Sequence, residues 1–174
     1  MSEILKQQLQ NARFERAMEI SESLAEHRAL LTTAELARMN QILTGNKTDP
    51  WRQETTTLTL PSGKTETFTL LTDPKLIARE KLHHATARAE AGEIVDAAVD
   101  IYADLVLAHV FEDANRRTAV LASHYFLTRY GASVSGIVLH ELGLGDLRQE
   151  GQIESLRQTI KQIVKFREKK SPLK

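Results

Sequence analysis

Along the 174-residue chain, apolar positions recur at helical spacing in most segments, broken by a polar loop over 46–54 and by one stretch of strand character. In residues 2–27, Leu5, Leu9, Ala12, Arg16 and Ile20 mark a stripe, with Ala17 and Leu24 beside it and Gln, Glu and Arg filling the other side. That spacing predicts an amphipathic packing helix. A second helix is predicted over 32–44. Thr32 and Glu35 form a capping box, Leu36, Met39, Ile42 and Leu43 face inward, and Gly45-Asn46 stops it. The stretch of strand character comes next. Residues 55–60 and 65–70 are Thr-rich and alternate, and Pro61-Ser62-Gly63-Lys64 separates them, which predicts a β-hairpin.

Helical spacing then resumes. Asp73 as N-cap and Pro74 in the first turn open a helix that runs to Glu90 and stops at Gly92. His83 and His84 lie on it; neighbouring helical residues point about 100° apart, so they share no metal and read as surface or boundary side chains. Residues 93–110 are apolar nearly all round. Ile94, Ala97, Ala98, Ile101 and Leu105 line one face, and Val95, Val99, Tyr102, Val106 and Val110 another. Only Glu93, Asp96, Asp100 and Asp104 form a polar strip, so this helix should be buried by its neighbours. A helix over 117–130, buried through Val120, Leu121, Phe126 and Leu127, follows and ends at Gly131. A short helix with Gly-rich breaks is expected over 133–147. A last amphipathic helix over 152–170 turns Ile153, Leu156, Ile160, Ile163 and Val164 inward and leaves a solvated basic end at 165–170. The sum is an all-α bundle with one inserted β-hairpin. It forms a single domain over 1–174, with a helical arm (1–45), a hairpin (55–70) and a core (73–131).

Composition narrows the function classes. Hydrophobic residues make up 41% and charged residues 26%, as in an ordinary soluble globular protein. Lys plus Arg and Asp plus Glu are equal at 23, so no net field draws the chain to nucleic acid or a membrane surface. There is no cysteine, which excludes disulfides, thiol catalysis and Cys-ligated zinc. No apolar run is long enough to span a bilayer, and the N-terminus lacks a signal-peptide layout. The expected location is cytoplasmic.

Candidate chemistry concentrates in residues 109–117, His-Val-Phe-Glu-Asp-Ala-Asn-Arg-Arg, between the buried helix and the one after it. His109 titrates near neutrality and can take a proton from an attacking hydroxyl. Asp113 is a hard oxygen ligand of the kind Mg²⁺ prefers, a metal often held by one carboxylate plus substrate phosphates. The turn Ala114, Asn115, Arg116, Arg117 opens a helix, where unpaired backbone N–H groups and the helix dipole attract anions. Arg117 adds a planar fork suited to phosphate, Asn115 a further donor, and Phe111 an inward anchor. Base, metal ligand, anion cradle and positive clamp together describe phosphoryl-transfer chemistry.

This stretch resembles the signature loop of the Fic/Doc (Fido) family, His-x-Phe-x-Asp/Glu-Gly-Asn-Gly/Lys-Arg. His109, Phe111, Asp113, Asn115 and Arg117 fall on its fixed positions. Ala114 replaces the first Gly, and Arg116 stands where Fic enzymes have Gly and Doc toxins have Lys. Thr118 and Ala119 continue the Doc form, and Val120 replaces a second Arg of the Fic pattern. The resemblance implies a Fic/Doc-like helical bundle with His109 as base and Asp113 binding Mg²⁺. It also implies Asn115 and Arg117, with Ala114 and Arg116, around the phosphates of ATP. The hairpin would be the family's flap, with Thr65, Glu66, Thr67 and Phe68 clamping an extended stretch of a target protein. Trp51 and Arg52 are similar to the aromatic and Arg that many Fic proteins carry before the flap. Trp51 reads equally well as a plug at the edge of the core.

The implied activity is transfer of a phosphate-containing group from Mg-ATP to a protein hydroxyl. The Doc-like loop favours γ-phosphoryl transfer and a toxin-like role; the alternatives are AMP transfer and an inactive Fic-fold binding module. A metal hydrolase built on His109, Asp113 and His124 is a weaker reading, since His124 would have to bend back two turns along its own helix. Fic proteins are often silenced by Ser/Thr-x-x-x-Glu-Gly/Asn. The one Glu-Gly here is Glu150-Gly151, with Asp146 in the Ser/Thr place, so it does not match. An inhibitor would then be a separate antitoxin chain.

Overall fold

The computed structural model describes residues 1–70, 72–132, 134–142 and 145–170. Helices α1 (Glu3–Glu26) and α2 (Thr33–Thr44) come first, and strands β1 (Thr56–Thr59) and β2 (Thr65–Phe68) follow. Then come α3 (Pro74–Glu90), α4 (Ile94–Ala108), α5 (Asn115–Arg129), α6 (Gly136–Leu142) and α7 (Gln152–Lys170). The fold is an all-α bundle with one antiparallel hairpin, as the hydrophobic pattern predicts.

α4 is the axis. Ala97, Ala98, Val99 and Ile101 have no exposed surface, and α3, α5 and α7 pack around them. α5 is nearly as deep, buried continuously from Thr118 to Leu127. Two helices packed on each other and buried on most sides give the loop between them little freedom. Local caps agree with the sequence reading. Thr32 Oγ1 accepts the Glu35 N–H (3.3 Å), and Asp73 Oδ1 accepts the Lys75 N–H (2.9 Å). Gly45 closes α2 in the left-handed region, φ 71°. In the hairpin Thr56 pairs with Phe68 and Thr59 with Thr65. His83 and His84 are exposed, and 165–170 forms a solvated end.

Three expectations change. The packing face of α1 is Ala17, Ser21 and Ala25, flanked by Phe14, Met18, Ile20 and Leu24. Leu5, Leu9, Ala12 and Arg16 are exposed, because the face that packs on α5 is the one through Ala17, one position round the helix from Arg16. Small residues fill that contact, letting the backbones approach until Ser21 Oγ donates to the Leu121 carbonyl (2.9 Å). The short helix expected over 133–147 spans only Gly136–Leu142. Of the rest of that stretch, Ser133, Gly143 and Leu144 lie outside the described residues, and turns carry the chain from 145 to α7. Finally, α5 begins at Asn115, two residues earlier than predicted, because the Asn115 side chain finds its partners behind it in the loop.

Candidate active site

The site is built where α4 stops. His109 ends the helix in the left-handed conformation, φ 49° and ψ 57°, its N–H still bonded to the Leu105 carbonyl. Ala114, just before α5, is also left-handed at φ 57°. Such a conformation costs a non-Gly residue about 1–2 kcal/mol and persists only where the surroundings hold it.

Those surroundings are visible. Phe111 is 1% exposed and stacks on Trp51 with ring centroids 4.6 Å apart. The two residues form an antiparallel bridge, flanked by Arg52 N–H to Val110 O (2.9 Å) and Glu112 N–H to Pro50 O (3.0 Å). Arg52, 4% exposed, donates from Nε to the His109 carbonyl (2.7 Å) and from Nη1 to the carbonyls of Phe68 (2.7 Å) and Glu54 (2.8 Å). One buried guanidinium therefore ties the loop, the hairpin and the segment before it together. On the other side Asn40 of α2 donates to the Asp113 carbonyl (2.8 Å) and to Thr118 Oγ1 (3.0 Å).

Asn115 organises the interior of the loop. Its Oδ1 accepts the Phe111 N–H (2.9 Å), and its Nδ2 donates to the Phe111 carbonyl (2.9 Å). Both contacts fix which way the amide points, so the remaining Nδ2 proton faces His109 Nε2 at 3.3 Å. In the neutral ring Nε2 is then the acceptor, and the ring proton sits on Nδ1. The imidazole stacks on Phe68 of β2, centroids 4.7 Å apart. Burial lowers the His109 pKa from its usual value. The charges of Arg52 and Arg148 lower it further, against a smaller opposite pull from Glu112 and Asp113. The ring is thus held neutral at pH 7, the form a base needs.

In front of the ring lies a cavity of about 360 Å³ lined by His109, Asp113, Ala114, Asn115, Arg116, Arg117 and Arg148, with Leu58 to Pro61 of the hairpin at its edge. A larger hollow of about 740 Å³ is lined by Trp51, Gln53, Asp73 and Lys75 among others, but holds no histidine and none of the loop residues 109–117; the chemistry sits in the smaller one. Ala114 and Asn115 open α5 there, so the helix N-terminus faces the cavity. Nη1 of Arg117 is buried without a hydrogen-bond partner among the described residues. Arg116 is engaged, Nη1 with the Tyr102 hydroxyl (3.4 Å) and Nη2 with the Gly145 carbonyl (2.9 Å). Asp113 is exposed at the rim, Oδ1 accepting the Ala114 N–H (2.5 Å). A single rim carboxylate beside an anion cradle fits a magnesium held mostly by substrate phosphates.

The loop residues singled out in the sequence therefore converge, and the hairpin residues divide. Phe68 is buried against His109, Glu66 pairs with Arg148, and Thr65 and Thr67 are exposed. Trp51 plugs the core, as one of its two readings held. His124 does not join the site. It is 3% exposed, with Nδ1 on the Val134 carbonyl (2.9 Å) and Nε2 near Glu22 (3.4 Å). Among the described residues no three metal-ligating side chains converge, so the hydrolase arrangement of His109, Asp113 and His124 is not assembled. Sequence reasoning missed Asn40 and Arg148. Asn40 could have been noticed as an amide on the inward face of an amphipathic helix; Arg148 gives no local signal.

The Fic/DOC family pattern matches residues 30–127, more than half of the chain and inclusive of the loop, so the chain belongs to the Fic/DOC family. Members of this family generally transfer nucleotide-derived groups to proteins. Among solved structures the fold is similar to a Fic domain containing signaling protein from Bacteroides thetaiotaomicron. That match has 17% identity and a TM-score of 0.63, over 96% of this chain and 75% of that one. Fic-1 from C. elegans also matches at 17% identity, with a TM-score of 0.47 over 89% of this chain and 51% of that one. No curated protein sequence matches. No helix among the described residues is long and apolar enough to cross a membrane.

Proposed function

We propose that the protein transfers the γ-phosphoryl group of Mg-ATP to a hydroxyl side chain of another protein, as a Doc-like, toxin-type enzyme. The observation that carries this reading is the neutral His109 imidazole at a cavity that also holds a helix N-terminus and the Arg117 guanidinium. The hydroxyl oxygen bonds to phosphorus, its proton passes to the Nε2 lone pair of His109 in place of the 3.3 Å Asn115 contact, and the bond to the bridging oxygen breaks to release ADP. Asn115 orients the resting ring, and the Phe68 stack holds the ring in place during transfer. The α5 N–H groups and Arg117 stabilise charge on the transferring group. Asp113 would hold Mg²⁺, which when bound neutralises phosphate charge. The hairpin's free strand edges would take the target peptide. Arg116 supports phosphoryl over AMP transfer: its side chain fills space at the cavity that a Gly would leave to an approaching phosphate.

The test is a cell lysate incubated with the protein and ATP labelled at the α- or the γ-phosphate. Label on protein from γ only, lost in His109→Ala, is expected. Label from α establishes AMP transfer instead. Label from neither, across lysates and conditions, assigns the protein as a binding module.

A further inference from the structure

Arg148 lies outside the family's matched region, on the turn that joins α6 to α7, yet it lines the cavity with His109 and Arg117. That turn is pinned. Its Gly145 carbonyl accepts from Arg116 of α5, and Asp146 Oδ1 accepts the Arg148 N–H (3.1 Å). The guanidinium lies over the Phe68 ring, 5.0 Å from its centroid, on the ring that also stacks on His109. Its Nε pairs with Glu66 of β2, while Nη2 is enclosed without a hydrogen-bond partner among the described residues.

An enclosed guanidinium N–H without an acceptor is a rare and unfavourable arrangement unless another state of the protein supplies one. Among the described residues three arginines carry one, and two of them, Arg117 and Arg148, line the cavity. An ordinary Arg–Glu bridge explains the Nε contact but leaves Nη2 unaccounted for. A phosphate accounts for both guanidiniums, since its anionic oxygens accept in the planar fork geometry that arginine offers. Val120 occupies the position where the Fic pattern has a second arginine, and Arg116, at a Gly position of that pattern, is held by the Tyr102 hydroxyl and the Gly145 carbonyl.

Resting on the nucleotide-dependent reading above, we propose that Arg148 is a second phosphate clamp of this site, supplied from the α6–α7 turn. Glu66 on the hairpin holds it when no nucleotide is bound. A bound phosphate takes over the guanidinium and frees Glu66, and with it the hairpin.

The two roles open to the Arg148–Glu66 pair predict opposite results. If the pair only braces the hairpin, breaking it from either side has the same effect. If Arg148 serves phosphate, Glu66 competes with the nucleotide. Mg-ATP is titrated by calorimetry against the wild-type chain, Arg148→Met, Arg148→Lys and Glu66→Gln, with thermal melts of each. Met keeps the apolar stem on Phe68, so the fold should survive. Arg148→Met is expected to weaken Mg-ATP binding about tenfold, Arg148→Lys to recover part of the loss, and Glu66→Gln to bind as well as wild type or better. Arg148→Met binding within about twofold of wild type overturns the clamp. So does a parallel loss in Arg148→Met and Glu66→Gln. Wild type that binds no Mg-ATP overturns the nucleotide reading itself and the clamp with it.

Discussion

Both ends of α4 gather arginines and carboxylates, and their wiring differs. At the N-terminal end Arg157 of α7 donates to Asp96 (2.8 Å) and Asp100 (3.0 Å), and Lys161 reaches Asp96 (3.2 Å). Arg88 of α3 reaches Glu93 (3.0 Å) and also pairs with Asp100. Each of those guanidiniums faces carboxylates from a neighbouring helix, so the charges staple α3, α4 and α7 together. At the C-terminal end the same residue types sit around an open cavity, and buried N–H groups of Arg117 and Arg148 lack acceptors among the described residues. Charge that is internally matched is structural; charge left short of a partner around a cavity is available for a ligand.

That contrast can be broken in several ways. The largest effect is expected from His109→Ala, which should lower transfer of labelled phosphate by at least about a hundredfold, the usual scale of a lost general base. Its circular dichroism should match wild type; loss of helical signal would make His109 a structural residue. Phe111→Ala should cost about 3–5 kcal/mol in a denaturant melt, because a fully buried ring stacked on Trp51 leaves a cavity behind. A loss under about 1 kcal/mol would mean that the loop is not anchored by that ring.

The sharpest form of the comparison pairs Arg157→Ala with Arg117→Met. The first should destabilise by about 1–3 kcal/mol, since it takes one hydrogen-bonded cation from each of Asp96 and Asp100 and leaves them only Lys161 and Arg88, and should spare nucleotide affinity. The second should do the reverse, weakening Mg-ATP binding while its melting curve stays close to wild type. Matching behaviour of the two variants would erase the distinction between the clusters.

Acid pH tests the base directly. His109 should titrate below the ordinary histidine value near 6.5 in an NMR titration of its ring proton. In Arg148→Met the titration should move upward, because one of the lowering charges is gone. The linkage has a definite sign. A depressed folded-state pKa means the unfolded chain binds more protons, so the contribution to stability is complete above the unfolded value and is lost as pH falls through the folded one. Wild type should therefore lose more stability on acidification than His109→Gln. The smallest effect is expected from Ala114→Gly. Relief of the left-handed conformation opposes the extra freedom of the unfolded chain, for a net gain below about 1 kcal/mol by melting.

The chain by itself determined the helices and the chemistry of the loop, since both are local. Periodicity along α4 shows that it is wrapped by neighbours, Asp73-Pro74 shows where α3 starts, and five fixed residues between His109 and Arg117 carry the family. Tertiary structure decided what depends on distance through space. Leu5 and Leu9 have the right spacing to pack, but they are exposed, and Ala17, Ser21 and Ala25 do the packing. Arg52 is an ordinary loop arginine until its guanidinium meets the carbonyls of His109 and Phe68. Phe68 alternates like any strand residue, and only the docked hairpin lays its ring on His109. Arg148 lies 31 positions beyond Arg117, and no spacing rule joins them. A cavity assembled from segments far apart along the chain is a property of how the helices pack, and local patterning does not encode it.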